Sequence, residues 1–189
     1  MKRIVVFASG SGSNAENLIS YFNQTSSAKV VMVLTNNPKA KVIDRCNRLK
    51  IPCLSFNRSS FYDQNTIKSL LISEQPDLIV LAGFLWKFPE SLLEVFNNKV
   101  INVHPALLPK FGGKGMYGSH VHEAVVANKE TESGITIHYV NENYDEGAII
   151  FQGKCDVLPT DSPSDVASKI HELEMEHFPK VVNKLLSNG

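Results

Sequence analysis

The sequence of 189 residues has few cysteines, and none of them is paired in a recognisable pattern. Cys46, Cys53 and Cys155 form no Cys-x-x-Cys motif and no Cys/His spacing typical of a metal site. An odd number of scattered thiols argues against a disulfide framework and against structural zinc. We therefore expect reduced cysteines in a cytoplasmic protein and no bound metal.

The chain also lacks net charge and any long apolar run. Its 19 basic residues equal its 19 acidic residues, so it has no basic excess with which to neutralise nucleic-acid phosphates. No stretch approaches the roughly 20 apolar residues that span a bilayer. The apolar run at residues 3–8 is too short for a secretory signal. We expect no nucleic-acid and no membrane partner, although one small anionic ligand stays compatible with the composition.

What the sequence does contain is an alternation of strand and helix patterns. A β-branched strand is predicted at residues 3–8, and the apolar spacing of a helix follows at once from Ala15 to Phe22. This alternation predicts one α/β domain with a doubly wound, mostly parallel sheet flanked by helices. Ligands bind such sheets at the carboxyl ends of strands. Polar or glycine-rich sequence follows four predicted strands, at residues 9–14, 83–88, 102–109 and 141–147.

Capping patterns predict where two of the helices begin. Ser60, three residues before Asp63, is a plausible cap for the helix that follows the third strand. Ser162, with Pro163 at the first helical position and Asp165 behind it, predicts the start of the last helix. Residues 110–118 hold four glycines in nine positions, which indicates a mobile loop.

The turn Ser9-Gly10-Ser11-Gly12-Ser13-Asn14 joins the first strand to the first helix. Small residues at a helix N-terminus allow backbone N–H groups to approach an anion. The turn is neither a Walker loop nor a dinucleotide fingerprint, because Gly-Lys-Ser/Thr and the third glycine are missing. Two interpretations stay open at this point: a single-phosphate site, or a tight turn capped by Ser13 or Asn14.

The segment Asn102-Val-His104-Pro is the most informative one for chemistry. On a strand, Asn102 and His104 point to the same face, and an amide beside an imidazole suits a reaction that develops an oxyanion. Asp145 lies in a polar turn next to Gly147, and a carboxylate near His104 would raise the pKa of the imidazole. Each residue also has an ordinary structural explanation, and His138 is interpreted as a packing residue of its strand.

Taken in this order, the segment Asn102-Val-His104-Pro-Ala-Leu-Leu-Pro and the segment from Gly134 to Asp145-x-Gly147 resemble the folate-dependent formyltransferases. The turn at residues 9–14 and the chain length resemble those of the members of this family that act on glycinamide ribonucleotide (GAR). The resemblance implies a formyltransferase-type Rossmann-like fold, with residues 1–189 as one catalytic domain. Its N-terminal half would bind the GAR phosphate and its C-terminal half would complete the folate site.

The resemblance also implies residue roles. The catalytic residues would be Asn102, His104 and Asp145. The GAR-binding residues would be Gly12, Ser13, Asn14, His171 and Glu174. The folate-binding residues would be Leu85, Trp86, Lys87, Phe88, Asn102, Asn141, Tyr144, Asp145 and Arg58. In many relatives the segment that matches residues 85–88 contains an arginine, whereas this sequence has Trp86 and Lys87. The family also often has an arginine before the third helix that meets the folate tail, and Arg58 lies a few positions away from it.

The implied reaction is direct transfer of the formyl group of 10-formyltetrahydrofolate to the amine of GAR in purine biosynthesis. His104, protonated and held by Asp145, would donate to the oxyanion, with Asn102 as the second donor. Folate would be a co-substrate rather than a tightly bound cofactor, no metal is implied, and the protein would be a monomer or homodimer. The glycine-rich loop at residues 112–118 would exclude water.

Other functions stay open from the residues. A 10-formyltetrahydrofolate hydrolase shares the trio but usually carries an additional N-terminal domain. A methionyl-tRNA formyltransferase is disfavoured by the neutral charge and by the lack of a C-terminal domain. A sugar-nucleotide formyltransferase is a further alternative. A non-catalytic flavodoxin-like binding module would explain the first turn but not the trio.

Overall fold

The computed structural model describes residues 1–187. It has seven strands and seven helices. The strands are β1 (Lys2–Phe7), β2 (Ala28–Thr35), β3 (Cys53–Ser55), β4 (Leu78–Leu81), β5 (Val100–His104), β6 (Glu132–Tyr139) and β7 (Ile149–Asp156). The helices are α1 (Ser13–Thr25), α2 (Val42–Leu49), α3 (Arg58–Tyr62), α4 (Thr66–Glu74), α5 (Glu90–Val95), α6 (Ser119–Ala127) and α7 (Pro163–Ser187).

All seven strands form one sheet in the order β3-β2-β1-β4-β5-β6-β7. The strands from β3 to β5 are parallel, whereas β6 and β7 are added antiparallel to one edge. Because β2 and β4 flank β1 on opposite sides, the strand order reverses at β1, and a crevice opens beside its carboxyl end. The predicted single α/β domain with a mostly parallel sheet is confirmed.

Side chains of β1 alternate between two apolar cores, one on each face of the sheet. Ile4 and Val6 pack with residues of α1 and α7, whereas Val5 and Phe7 pack with residues of α4 and α5. Such two-sided burial explains why β1 has a continuous β-branched sequence rather than an alternating one. The chain buries both faces of its central strands, so their carboxyl ends are held rigidly at one edge.

The predicted start of α7 is confirmed. The backbone N–H of Ser162 donates to Asp165, and the backbone N–H of Asp165 lies 3.3 Å from the Ser162 hydroxyl, which completes the capping box.

The predicted helix start at Ser60 is wrong. Asn57 accepts from the backbone N–H of Ser60 and caps the short helix α3 instead. The chain then breaks at Asn65, which has a φ of 54°, before α4 begins at Thr66. A short polar side chain tolerates this left-handed conformation better than most residues do, so the break falls at the asparagine.

No helix within residues 1–187 combines the length and the apolar character that crossing a bilayer requires.

Candidate active site

One large cavity of about 620 Å³ lies at the carboxyl edge of β1, β4 and β5. It is lined by residues from all four polar segments that follow the predicted strands, together with part of α7. The predicted site residues that line it are Gly12, Ser13, Asn14, Leu85, Trp86, Lys87, Phe88, Asn102, His104, Asn141, Tyr144, Asp145, His171 and Glu174. Segments far apart in the chain therefore form one site.

The glycine-rich turn leaves the start of α1 open. Gly12 is the residue before α1 and has a φ of 74°, and among residues 1–187 no side chain caps the helix. A Cβ at Gly12 would lie 2.3 Å from Val42 Cγ2 and 2.9 Å from Val42 Cα, so the turn packs too closely on α2 for any side chain. The alternative of a turn capped by Ser13 or Asn14 is therefore wrong. Free N–H groups in the first turn of α1 are suited to an anion.

Asn14 instead binds a largely buried carboxyl group of α7, that of Glu174. Its Nδ2 donates to Glu174 Oε2 at 2.9 Å, and its own Oδ1 is buried without a partner within the described part of the chain. Burial raises the pKa of Glu174 to about 7, although the hydrogen bond from Asn14 opposes the shift. His171 is half exposed, with Nδ1 4.0 Å from Glu174 Oε2. The predicted pair on α7 thus faces the turn that follows β1.

The second wall of the cavity is aromatic. Trp86 lies within 6.0 to 6.5 Å, between ring centroids, of Phe56, Phe61, Tyr62 and Phe84. Phe88 is almost fully buried and packs edge-on against Phe7 at 5.5 Å, so it supports the wall from behind. Flat apolar walls of this kind suit a heterocyclic ligand.

Arg58 is the one predicted site residue that does not line the cavity. Its guanidinium carbon lies 4.9 Å from the centroid of Tyr62 and 5.8 Å from that of Trp86. It therefore packs against these two rings as a cation on an aromatic face. Its predicted contact with the folate tail stays a prediction.

Asp145 lies at the centre of a network of polar side chains. Its Oδ2 is 3.6 Å from His104 Nδ1 and accepts from the backbone N–H of Gly113 at 2.9 Å. Its Oδ1 is 3.6 Å from His138 Nε2 and 3.5 Å from Asn102 Nδ2. Burial raises the pKa of Asp145, but these neighbours outweigh burial, and the net pKa is lowered. Asp145 is therefore an anion at neutral pH.

The position of Asp145 depends on an unusual backbone conformation at Asp145 and on a close approach at Gly147. Asp145 itself has a φ of 58°. A Cβ at Gly147 would lie 1.6 Å from the carbonyl oxygen of Tyr139, so only glycine allows the loop to pass so close to β6. The loop that carries Asp145 and Gly147 follows β6. Because β6 runs antiparallel to β5, β6 ends beside Ile101 and not beside His104. The loop must therefore fold back along the sheet to bring Asp145 to the imidazole.

His104 is nearly fully buried, and both ring nitrogens have a polar neighbour. Nε2 lies 2.8 Å from the carbonyl oxygen of Phe111, which can only accept, so Nε2 carries a proton. Asp145 raises the pKa of His104, as expected, but it does not set the net direction of the shift. Burial lowers the pKa of His104 and outweighs the opposing effect of Asp145. In the free protein His104 is neutral at pH 7, and Nδ1 is the atom that titrates.

Sequence reasoning missed two histidines of the cavity. His138 pairs with Asn102 across β5 and β6, and its Nε2 lies 3.1 Å from Asn102 Nδ2. The alternation of Thr136 and His138 along β6, opposite His104 and Asn102, is the signal that could have found it. His122, on the first turn of α6, carried no such signal, because a buried histidine on a helix has no distinctive spacing.

Thr136 supports the loop that follows His104. Its hydroxyl donates to the carbonyl oxygen of Ala106 at 2.7 Å and accepts from the backbone N–H of Leu108 at 3.0 Å. A buried hydroxyl with both bonds made holds the strand end and the proline segment in one geometry. It therefore fixes the backbone that directly follows His104.

The fold agrees with comparisons to known proteins. The formyl transferase family model matches residues 2–182, and the chain therefore belongs to the formyl transferase family. The phosphoribosylglycinamide formyltransferase of Bacillus subtilis is 33% identical over 191 residues, which cover 98% of this chain and 95% of that protein. The enzyme of the same name from Haemophilus influenzae is 33% identical, covering 96% of this chain and 86% of its own length.

The chain also has the same fold as a solved structure of an enzyme with that name. The crystal structure of phosphoribosylglycinamide formyltransferase from Anaplasma phagocytophilum superimposes with a TM-score of 0.90 at 33% sequence identity. The match covers 98% of this chain and 87% of that one. Within the family, the chain is thus placed among the phosphoribosylglycinamide formyltransferases.

Proposed function

We propose that this protein transfers the formyl group of 10-formyltetrahydrofolate to the amine of 5'-phosphoribosylglycinamide, giving formyl-GAR and tetrahydrofolate. The observation that carries the proposal is the single cavity in which an uncapped helix start, an aromatic wall and the Asn102–His104–Asp145 group meet. The first suits a phosphate, the second a pterin and the third a carbonyl carbon under attack.

The proposal assigns each substrate to one part of the cavity. The phosphate of GAR binds the free N–H groups of Gly12, Ser13 and Asn14, and its ribose lies toward Glu174 and His171. The pterin binds along residues 85–88, with residues 141–145 as the opposite side. The GAR position and the pterin position both extend to His104, so the amine and the formyl carbon meet there. Holding two reactants in this way supplies much of the rate enhancement in a direct transfer.

The chemical step uses the polar network around Asp145. The neutral amine attacks the formyl carbon, and the formyl oxygen becomes an anion. Asn102 Nδ2 donates to this oxygen. The growing negative charge raises the proton affinity of His104 Nδ1, so the proton lost by the amine is held there with Asp145 beside it. When the bond between the formyl carbon and N10 breaks, that proton passes to N10, which leaves as the amine of tetrahydrofolate.

The loop at residues 112–118 completes the site. Its Gly113 N–H holds Asp145, and Lys114 to Gly118 line the cavity. Closure of this loop would exclude water, which otherwise competes for the formyl group.

A spectrophotometric assay tests the proposal. The purified protein is incubated with 10-formyltetrahydrofolate, with and without GAR, and tetrahydrofolate release is followed by absorbance. We expect release only with GAR. Release at the same rate without GAR would identify a hydrolase, and no release in either case would leave a binding module. The His104→Ala variant, purified in parallel, controls for contaminating activity from the expression host.

A further inference from the structure

His122 is a buried histidine whose ring has no hydrogen-bond partner within the described part of the chain. It lies on the first turn of α6, is only 8% exposed and lines the large cavity. No hydrogen bond among residues 1–187 involves its ring, and its Nδ1 is buried without a partner. Nε2 is not among those buried unpartnered atoms, so it is the ring nitrogen that reaches the cavity.

The other two buried histidines of the cavity differ from it. His104 faces the Phe111 carbonyl and Asp145, and His138 faces the Tyr139 carbonyl and Asn102. Buried polar atoms in native proteins are nearly always paired, so an orphaned ring that opens into a binding cavity indicates a partner supplied by a ligand. Of these three histidines, only His122 has a ring nitrogen that is fully buried and without a polar partner among residues 1–187.

The surroundings decide which form of the ring is present. A proton on Nδ1 would be a buried donor without an acceptor, which is rarer and costlier than an unpaired acceptor. Burial and the nearby His104 also lower the pKa of His122. The ring is therefore neutral, with its one proton on Nε2, and it offers the cavity a hydrogen-bond donor rather than a base. Its ligand atom must be an acceptor, such as a carbonyl oxygen.

We infer that His122 is a substrate-binding residue whose Nε2–H donates to the glycyl carbonyl oxygen of the amine substrate. This inference rests on the proposed function. The α6 helix that carries His122 packs against α7, which carries Glu174, and His122 also lies near His104. In GAR the amide carbonyl lies between the reacting amine and the ribose. A donor between the catalytic group and the ribose side of the cavity therefore meets that carbonyl.

Two variants of His122 separate this role from a structural one. His122→Phe keeps a planar ring but removes the donor, whereas His122→Gln places an amide N–H close to the position of Nε2. For His122→Phe we expect the KM for GAR to rise roughly 5- to 50-fold, as when one uncharged hydrogen-bonding group loses its partner. The KM for 10-formyltetrahydrofolate should change less than about twofold. His122→Gln should recover most of the affinity for GAR.

The matched control is His120→Phe. His120 lies on the same helical turn, stacks on Tyr117 at 5.2 Å and does not line the cavity, so its variant should keep the wild-type KM for GAR. An unchanged KM for GAR in folded His122→Phe would overturn the inference, as would an equal loss in His122→Phe and His122→Gln. A rise confined to the folate KM would also overturn it. Absence of GAR-dependent turnover in the wild-type protein would instead refute the proposed function.

Discussion

Nδ1 of His104 lies 3.6 Å from a carboxylate oxygen of Asp145, while Nε2 of the same ring is occupied by the Phe111 carbonyl. The imidazole thus has one nitrogen committed to the backbone and one left for chemistry. Because burial lowers the pKa of His104, a proton on Nδ1 depends on the carboxylate. In the proposed mechanism the pair works as a unit, in which Asp145 sets how readily His104 takes the proton.

Asp145→Asn should reduce turnover strongly. The substitution removes the negative charge that opposes burial, so the pKa of His104 falls further and Nδ1 holds a proton less well. We expect kcat to fall by roughly 10²-fold or more, with the thermal unfolding midpoint little changed. Steady-state release of tetrahydrofolate measures it. Asp63→Asn, an exposed position outside the cavity, is the matched control, and near-normal kcat in Asp145→Asn would refute this role.

Asn102→Ala should slow the chemical step without preventing substrate binding. In the proposed mechanism the amide donates to the oxygen that becomes anionic, and loss of one such donor costs roughly 10²–10³ in kcat. The KM values for both substrates should stay within a few-fold. The exposed Asn97→Ala serves as the control. Turnover close to that of the wild type at saturating substrates would show that Asn102 does not stabilise the oxyanion.

Glu174 should make the stability of the free protein depend on pH. Its pKa is about 7 in the folded protein and 4.5 ordinarily, so between these values the folded state binds more protons than the unfolded state. The free energy of unfolding therefore decreases as pH rises from about 4.5 through about 7, by up to about 3 kcal/mol. Glu174→Gln should remove this decrease and be more stable than the wild type at pH 8.

Unfolding in urea at several pH values measures this effect. The exposed Glu176→Gln on the same helix should retain the wild-type pH dependence. If Glu174→Gln and the wild type lost the same stability between pH 5 and pH 8, the shifted titration of Glu174 would be refuted.

Gly147→Ala should impair catalysis through the backbone. The new methyl group would overlap the carbonyl of Tyr139, and no flexible side chain is available to move aside. The loop must shift, and Asp145 moves with it, so we expect kcat to fall by about 10²-fold, as for a misplacement of about 1 Å. Glu146→Ala, at the exposed neighbouring position, should keep wild-type kcat. Equal kcat for the two variants would contradict the prediction.

The sequence alone determined the fold class and the start of α7. Apolar periodicity and the capping box of Ser162 and Asp165 both involve residues close together in the chain, so both can be predicted from the sequence. The relation between Asn102 and His104 is also local, because side chains at positions i and i+2 of a strand point to the same face. The break at Asn65 was missed because a left-handed asparagine leaves no trace in the apolar pattern.

Only the tertiary structure decided how these groups act. The antiparallel addition of β6 and the return of its loop bring Asp145 and His138 to Asn102, and no spacing in the sequence encodes that approach. The tertiary structure also decided the net pKa shift of His104, because burial depends on everything packed around the ring and here outweighs the effect of Asp145. The sequence, with the family resemblance, predicted Asn102, His104 and Asp145 as a group. Packing decided the protonation of His104 and Asp145 and left His122 facing the cavity without a partner within residues 1–187.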